Sequence, residues 1–269
     1  MTDRVDANPT SEFVKDIPDS KFWDLSTRGW EQILNLVFPP ACPLCHQFIK
    51  TEDSTEQSFC EQCREQAPES IQHPCQRCGA EVGAYVKTES GCAHCSKDRF
   101  AFEQVTSLMM YQGEARRLCK LCKEWNYQSL CHTLTRQLWQ SREELIRSWN
   151  CDLIVPVPMH WGKRLFRNCH PAETIANTLS TQLKIPWRYC LRQTRSGTTQ
   201  SQLSRTARIQ NARELYAPLR RASVKGKSVL LVDDILTTGS TANVCAKALL
   251  NAGCSQVRVA VLARATGQT

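Results

Sequence analysis

The sequence predicts an α/β domain built on a mostly parallel sheet, preceded by a small module that metal ions hold together. In the C-terminal half, short apolar runs such as Ser228–Asp233 and Gln256–Leu262 flank the helical pattern of Ser240–Asn251. This alternation is typical of parallel strands joined by crossover helices that cover both faces of a sheet. The N-terminal half has few aliphatic residues and contains cysteines in pairs. The whole chain has 16 cysteines. A segment of this kind cannot bury a core of its own.

Composition is typical of a globular protein and excludes several classes. The 269 residues, 41% hydrophobic and 22% charged, are enough for one sizeable domain and a smaller module. No apolar run approaches the roughly 20 residues that span a bilayer, so we expect no membrane insertion. Residues 1–20 are acidic and lack an apolar core, which is unlike a secretory signal or a transit peptide. We therefore expect a cytoplasmic protein with reduced thiols, whose paired cysteines bind metal.

We divide the chain into a loose tail (1–25), a double zinc-ribbon module (26–100) and an α/β domain (101–269). The module opens with an amphipathic helix over Arg28–Phe38, which Pro39 and Pro40 end. In the domain, the pattern predicts strands at Gln104–Tyr111, Asp152–Val157, Trp187–Leu191, Ser228–Asp233 and Gln256–Leu262. It predicts helices at Glu114–Glu124, Leu130–Ser148, Pro171–Lys184 and Ser240–Asn251, and a polar loop at Arg192–Thr199.

Four Cys-x-x-Cys pairs follow one another in the module. A tight turn with two thiolates three residues apart grips one side of a zinc ion, and two such turns complete a tetrahedron. Joining neighbouring pairs closes the shortest loops, although a nested arrangement of the middle pairs remains open. Four thiolates leave no open coordination position, so we predict two structural zinc ions. The ligands are Cys42, Cys45, Cys60, Cys63, Cys75, Cys78, Cys92 and Cys95.

A fifth pair, Cys119 and Cys122, has no second pair beside it. Together with Cys131 and His132 it would supply the ligands of a third metal site. We interpret it instead as two small apolar thiols on the buried face of a helix.

The segment Val229–Thr241 is the most informative in the chain. An apolar strand ends in two carboxylates, Asp233 and Asp234, and a turn of small residues then opens a helix. Backbone N–H groups of the turn and the helix dipole attract a phosphate, and Gly239 allows close approach. Carboxylates would repel a phosphate but bind sugar hydroxyls or hydrated Mg²⁺. The pattern therefore predicts a ribose-phosphate site, whereas the alternative is a helix cap alone. The segment lacks the lysine of a nucleotide-hydrolysing P-loop.

A basic block lies between Trp187 and Lys227. It contains ten arginines and lysines against the single acid Glu214, within a chain of net charge +8. Such a block attracts polyanions, including nucleic acid, pyrophosphate and phosphorylated substrates, or else forms a solvated face.

The chain resembles the competence protein F (ComF) family within the type I phosphoribosyltransferase superfamily. The likeness rests first on Val229–Thr241, which is similar to the ribose-phosphate fingerprint of that superfamily. Asp152–Pro158, Gln200–Arg205 and Ala248–Gly253 also match, and the resemblance spans about 30–264. It implies a phosphoribosyltransferase fold behind cysteine knuckles, and a part in DNA uptake during natural transformation with single-stranded DNA and a helicase as partners.

The resemblance also implies roles for individual residues. Asp233 and Asp234 would hold the ribose hydroxyls, with phosphoribosyl pyrophosphate and Mg²⁺ as ligands. The turn at Pro156 and Val157 would bind pyrophosphate, and the basic loop containing Arg205 would close over the site. The 5′-phosphate segment comprises Ile235, Leu236, Thr237, Thr238, Gly239, Ser240 and Thr241.

One segment departs from the family pattern. Where the family usually has Arg-Gly-Phe-Asn-Gln, this chain has Arg-Asn-Cys-His-Pro at 167–171. Arg167 is kept as a binding residue, but the glycine, the aromatic ring and the amides are replaced. Two functions therefore remain open: transfer of ribose phosphate to an unidentified acceptor, or binding of single-stranded DNA or a protein partner with a regulatory ribose-phosphate pocket.

Overall fold

The computed structural model describes residues 39–49, 59–159, 169–194, 215–219 and 223–266. The predicted tail, the helix at Arg28–Phe38, Arg167 and most of the basic loop, including Arg205, lie outside these ranges. The helices span Glu61–Glu65 (α1), Gly113–Leu121 (α2), Gln128–Ser148 (α3), Pro171–Leu183 (α4) and Ser240–Asn251 (α5), with a 3-10 turn at Trp125–Tyr127. The strands span Val105–Met110 (β1), Leu153–Pro156 (β2), Leu191–Gln193 (β3), Tyr216–Pro218 (β4), Ser228–Leu236 (β5) and Gln256–Arg264 (β6).

Four strands form a parallel sheet in the order β1-β6-β5-β2. Residues of β5 alternate between its faces, because successive side chains of a strand point in opposite directions. Leu230 and Val232 pack in the core that contains α3 and α4, whereas Val229 and Leu231 pack in the core that contains α5. The predicted parallel sheet with helices on both faces is confirmed, and it places the carboxyl ends of β2 and β5 side by side.

One predicted strand is wrong in its extent. The sequence predicts a single strand over Trp187–Leu191, but of this run only Trp187 pairs with the main sheet, through one parallel bridge to Ile154 of β2. Leu191 instead begins β3, which pairs antiparallel with β4. The apolar side chains at both ends of the run, half-buried Trp187 and buried Leu191, indicated contact with the core, but they carry no information about which strand each end pairs with.

The cysteine module covers the β1 edge of the sheet. The Val105 N–H donates to the Gln76 carbonyl at 2.7 Å, and the Ser107 hydroxyl donates to the Gly79 carbonyl at 2.6 Å. Further along, the Ile71 N–H donates to the Leu108 carbonyl at 2.8 Å. An uncovered edge strand would leave a row of backbone groups unpaired. The segment around Cys75 and Cys78 is therefore hydrogen-bonded directly to the α/β domain.

Candidate ligand and metal sites

The eight predicted zinc ligands form two groups of four. Cys42, Cys45, Cys60 and Cys63 form the first group, and the others form the second. Within each group, the four sulfur atoms lie within 4.8 Å of one another. The sequential pairing is thus the one the structure brings together, and the nested pairing is not.

Sulfur separations fit tetrahedral zinc. Zinc–sulfur bonds of about 2.3 Å place neighbouring sulfurs about 3.8 Å apart. The Cys75–Cys95 and Cys78–Cys92 pairs are separated by 3.8 and 3.6 Å, and the Cys45–Cys60 pair by 3.6 Å. Two four-cysteine sites consistent with structural zinc therefore lie in the module.

The thiol pKa values differ among the cysteines of both groups. Burial would raise the pKa of Cys42, but backbone N–H groups around its sulfur outweigh burial and lower the pKa to about 7. Burial, together with the neighbouring Cys75 charge, raises the pKa of Cys78. Four thiolates this close repel one another, and a bound cation offsets that repulsion.

A third metal site at Cys119 and Cys122 is not formed within the described ranges. Both thiols are fully buried, as predicted for the apolar face of a helix. The His132 Nδ1 atom instead lies 2.7 Å from the Thr178 hydroxyl, between α3 and α4. Of the remaining cysteines outside the knuckles, Cys151 is half-buried.

The paired carboxylates stand where β5 emerges from the core. The Asp234 N–H donates to Asp233 Oδ1 at 2.9 Å, and the Ile235 N–H donates to Asp234 Oδ1 at 2.9 Å. Burial, reinforced by the adjacent Asp234 charge, raises the pKa of Asp233 well above its ordinary value. The Lys123 ammonium lies 2.7 Å from Asp234 Oδ2 and compensates that charge.

A cavity of about 210 Å³ opens beside these carboxylates. The ends of β2, β5 and α4 bound it, so it lies at the carboxyl edge of the sheet, the usual ligand position in parallel α/β folds. Its lining includes Lys123, Val157, Pro158, His170, Tyr216, Asp233, Asp234 and Thr241. Of the predicted set, Asp233, Asp234, Thr241 and Val157 therefore meet at one cavity, whereas Pro156 is buried at the end of β2.

The predicted phosphate loop lies directly after the carboxylates. Thr237, Thr238, Ser240 and Thr241 are exposed, and the Thr238 and Ser240 hydroxyls lie 2.7 Å apart. Ile235 and Leu236 differ, because their side chains pack in the cores on opposite faces of the sheet. Binding through these two residues is therefore restricted to their backbone atoms.

Gly239 lies directly before α5, and its backbone has a conformation that favours glycine. Its φ is +76°, and a Cβ atom there would lie 2.8 Å from Cε1 of Phe100. Phe100 stacks on Phe102 at 4.6 Å between ring centroids and also packs against the second cysteine group. The Ala101 N–H donates to Asn243 Oδ1 at 2.7 Å. The predicted phosphate loop is therefore packed against the end of the cysteine module.

Lys123, His170 and Arg264 lie near the site and were not found by sequence reasoning. Lys123 follows a cysteine pair, His170 falls in the segment that departs from the family pattern, and Arg264 ends β6. The His170 Nδ1 atom lies 2.9 Å from Glu173 Oε1, three residues on at the start of α4. The departure at 167–171 gave a signal for His170, whereas Lys123 and Arg264 lack a local pattern. In the described ranges no helix has both the length and the apolar character to cross a membrane.

Comparisons with known proteins agree with this division of the chain. The double zinc ribbon domain matches residues 33–99, and the phosphoribosyl transferase domain matches residues 171–269. Competence protein F of Haemophilus influenzae is 28% identical over 196 residues, which cover 71% of this chain and 84% of the relative. The DNA utilization protein YhgH of Salmonella typhi is 26% identical over 237 residues, covering 85% of this chain and 99% of the relative.

Solved structures also match parts of the chain. One described as the allosteric regulatory enzyme of purine biosynthesis shares 26% identity at a TM-score of 0.38. The match covers 51% of this chain and 26% of that enzyme, so the chain spans about a quarter of the enzyme's length. The predicted fold class, a phosphoribosyltransferase-type α/β domain behind a zinc-ribbon module, is confirmed by the two domain matches together with the observed sheet and cysteine groups.

Proposed function

Because this chain is a ComF-like protein that joins a double zinc ribbon to a phosphoribosyl transferase domain, we propose that its cavity binds phosphoribosyl pyrophosphate or a related ribose phosphate. The observation that carries the proposal is the junction of β5 and α5. Two carboxylates, Asp233 and Asp234, line a cavity, and an exposed turn of hydroxyl and amide donors follows them directly. A ribose 5-phosphate matches both ends, because its hydroxyls suit the carboxylates and its phosphate suits the turn.

We further propose that the site transfers ribose phosphate to a nucleophile with loss of pyrophosphate. The ribose C1 gains positive charge as the pyrophosphate leaves, so charge compensation at the leaving group governs the rate. Mg²⁺ bound with the substrate would supply that compensation, and carboxylate oxygens such as those of Asp233 suit this hard cation. Lys123 already compensates Asp234, and Arg205 of the basic loop is proposed to approach the pyrophosphate.

The binding proposal is tested by Asp233→Asn combined with Asp234→Asn. Hydrogen bonds to a charged group contribute about 1.5–3 kcal/mol each, so we expect affinity for phosphoribosyl pyrophosphate in Mg²⁺ to fall about a hundredfold or more. Isothermal calorimetry measures the change. A matched control is Glu114→Gln with Glu143→Gln, which removes the same charge from surface ion pairs on α2 and α3. Unchanged affinity in the aspartate variant would refute the assignment.

The melting temperature distinguishes a variant that folds but fails to bind the ligand from a variant that fails to fold. Because the folded-state pKa of Asp233 is raised, the folded protein binds a proton more tightly than the unfolded chain. Ionisation of Asp233 therefore lowers the free energy of unfolding as the pH rises from the pKa of this group in the unfolded chain through its pKa in the folded protein. Asp233→Asn should thus raise the melting temperature at neutral pH, with the difference vanishing below about pH 4.

A second proposed function is binding of single-stranded DNA. The basic block between Trp187 and Lys227 favours it, and two relatives carry the names competence protein F and DNA utilization protein. A helicase partner belongs to the same proposal. The zinc thiolates require a reducing compartment, which supports a cytoplasmic location.

We expect DNA affinity to fall linearly with salt on logarithmic axes, because bound phosphates release counterions. Reversing the charge at Arg195 and Arg205 should weaken binding about tenfold and reduce the slope. Fluorescence anisotropy with a labelled oligonucleotide measures both quantities. Arg117→Glu with Arg147→Glu, which alters ion-paired helix residues, is the matched control. A DNA affinity that does not change with salt concentration would contradict the proposal of DNA binding.

A further inference from the structure

Arg264 is the last residue of β6 and pairs in register with Leu236, the last residue of β5. Both strands end at the carboxyl edge of the sheet, where the phosphate loop begins. Only 4% of Arg264 is exposed. A guanidinium is therefore buried directly beside the first residues of the loop.

The guanidinium holds the backbone carbonyls of the loop. Its Nη1 atom donates to the Leu236 carbonyl at 3.1 Å and also to the carbonyls of Thr237 and Ala265. The Ala265 N–H donates to the same Leu236 carbonyl at 2.9 Å. Two successive carbonyls, those of Leu236 and Thr237, are thus turned towards one side chain.

The planar trans peptide bonds of the loop link the direction of each carbonyl to the direction of the next N–H group. In a trans peptide, the carbonyl of one residue and the N–H of the next point in opposite directions. Fixing the Leu236 and Thr237 carbonyls on Arg264 therefore directs the Thr237 and Thr238 N–H groups to the other side. Neither N–H donates to a backbone acceptor in the part of the chain that the structure describes. Successive N–H groups that face one way form a concave anion site.

Within the described ranges, the charge of Arg264 has no carboxylate beside it. Among the described residues, none with a carboxylate comes within 4.0 Å of the guanidinium, and the buried Nε atom lacks a hydrogen-bond partner. A buried charge without a counter-charge lowers stability. An anion seated on the loop would supply a counter-charge that none of the described residues provides.

We propose that Arg264 is a positioning residue for the phosphate group of the ligand. It turns the Thr237 and Thr238 N–H groups towards the phosphate and places a positive charge beneath the loop. This inference rests on the ribose-phosphate site proposed above. It adds to that site Arg264, which lies 23 positions after Thr241, the last residue of the loop.

The test compares two arginines of the same strand. Arg258 lies near the amino end of β6, about 20 Å from Arg264. It is also largely buried, with its side chain 15% exposed, and contacts the Trp149 carbonyl at 2.9 Å and Glu103 at 3.2 Å. Arg258→Met removes a comparable buried guanidinium far from the loop. We expect it to lower the melting temperature and leave the Kd for ribose 5-phosphate within about twofold.

Arg264→Met should raise the Kd for ribose 5-phosphate about tenfold or more. It should also abolish the shift of the Thr237 and Thr238 amide resonances on addition of inorganic phosphate, which a merely structural role would not affect. Arg264→Lys keeps the charge without the fork of donors, so we expect an intermediate Kd. It also serves if the methionine variant fails to fold. Wild-type affinity in either foldable variant would overturn the inference. Absence of binding by the wild type would instead refute the proposed function.

Discussion

Replacing Cys75 with serine is expected to release the second zinc ion and unfold the knuckle that covers the β1 edge of the sheet. Cys75 is fully buried, and its N–H and carbonyl close the turn through Ala80 and Gly79 at 2.7 Å each. Structural zinc contributes about 10–16 kcal/mol in small zinc modules, so loss of one thiolate removes most of the energy that holds this segment folded. Zinc content should fall from two equivalents to one, with rapid proteolysis within residues 70–99.

The same substitution should also weaken ribose 5-phosphate binding. Phe100 packs against the second cysteine group and against Gly239, so unfolding the knuckle removes one wall of the loop. Cys254→Ser is the matched control, because it alters a buried thiol outside both groups. It should keep two zinc equivalents, and any loss of stability should leave residues 70–99 resistant to protease. Two equivalents retained in the Cys75 variant would contradict the assignment of this ligand.

The parts of the structure that follow from sequence are those with local physical signatures. Spacing predicted the eight cysteine ligands, because a tight turn fixes the distance between thiolates three residues apart, but it left the pairing of the turns open until the structure showed two sequential groups. The strand Ser228–Asp233 was also predicted, although β5 continues to Leu236. Its end could not be located, because the polar residues after Val232 interrupt the apolar pattern while the backbone pairing with β6 continues.

Residues that act through tertiary contact were not predictable in this way. Arg264 is one of 34 arginines and lysines, and its role depends on β5 and β6 ending in register. Lys123 meets Asp234 only because the end of α2 lies beside the carboxyl edge of the sheet. Phe100 has no local pattern that marks it in the sequence, and it faces Gly239, the residue directly before α5. Each depends on a partner more than 20 residues away.

The loop is thus supported from two sides. Arg264 holds its first carbonyls, and Phe100 packs against Gly239 where α5 begins. A loop that binds phosphate through backbone N–H groups gains affinity when those groups are already oriented, because less ordering is required on binding. The cysteine module therefore contributes to the proposed ligand site by packing against its loop.

Gly239→Ala tests that packing, and we expect it to lower the free energy of unfolding by about 2–5 kcal/mol. A left-handed backbone costs an alanine about 1–2 kcal/mol, and overpacking against Phe100 adds about 1–3 kcal/mol. The ring cannot move aside freely, since it stacks on Phe102. Urea denaturation measures the change, and ribose 5-phosphate affinity should fall with it because the loop must shift.

Gly226→Ala separates the two contributions to this cost. Gly226 has a φ of +72°, close to the +76° of Gly239, but among the described residues no atom beyond its own chain neighbours lies within 4 Å of an added Cβ. Its replacement should cost only the backbone contribution and leave ligand affinity unchanged. In a Phe100→Ala background, Gly239→Ala should likewise cost only about 1–2 kcal/mol, because the clash is gone. Equal costs for the two glycines, or a cost at Gly239 that Phe100→Ala does not reduce, would show that the module does not press on the loop.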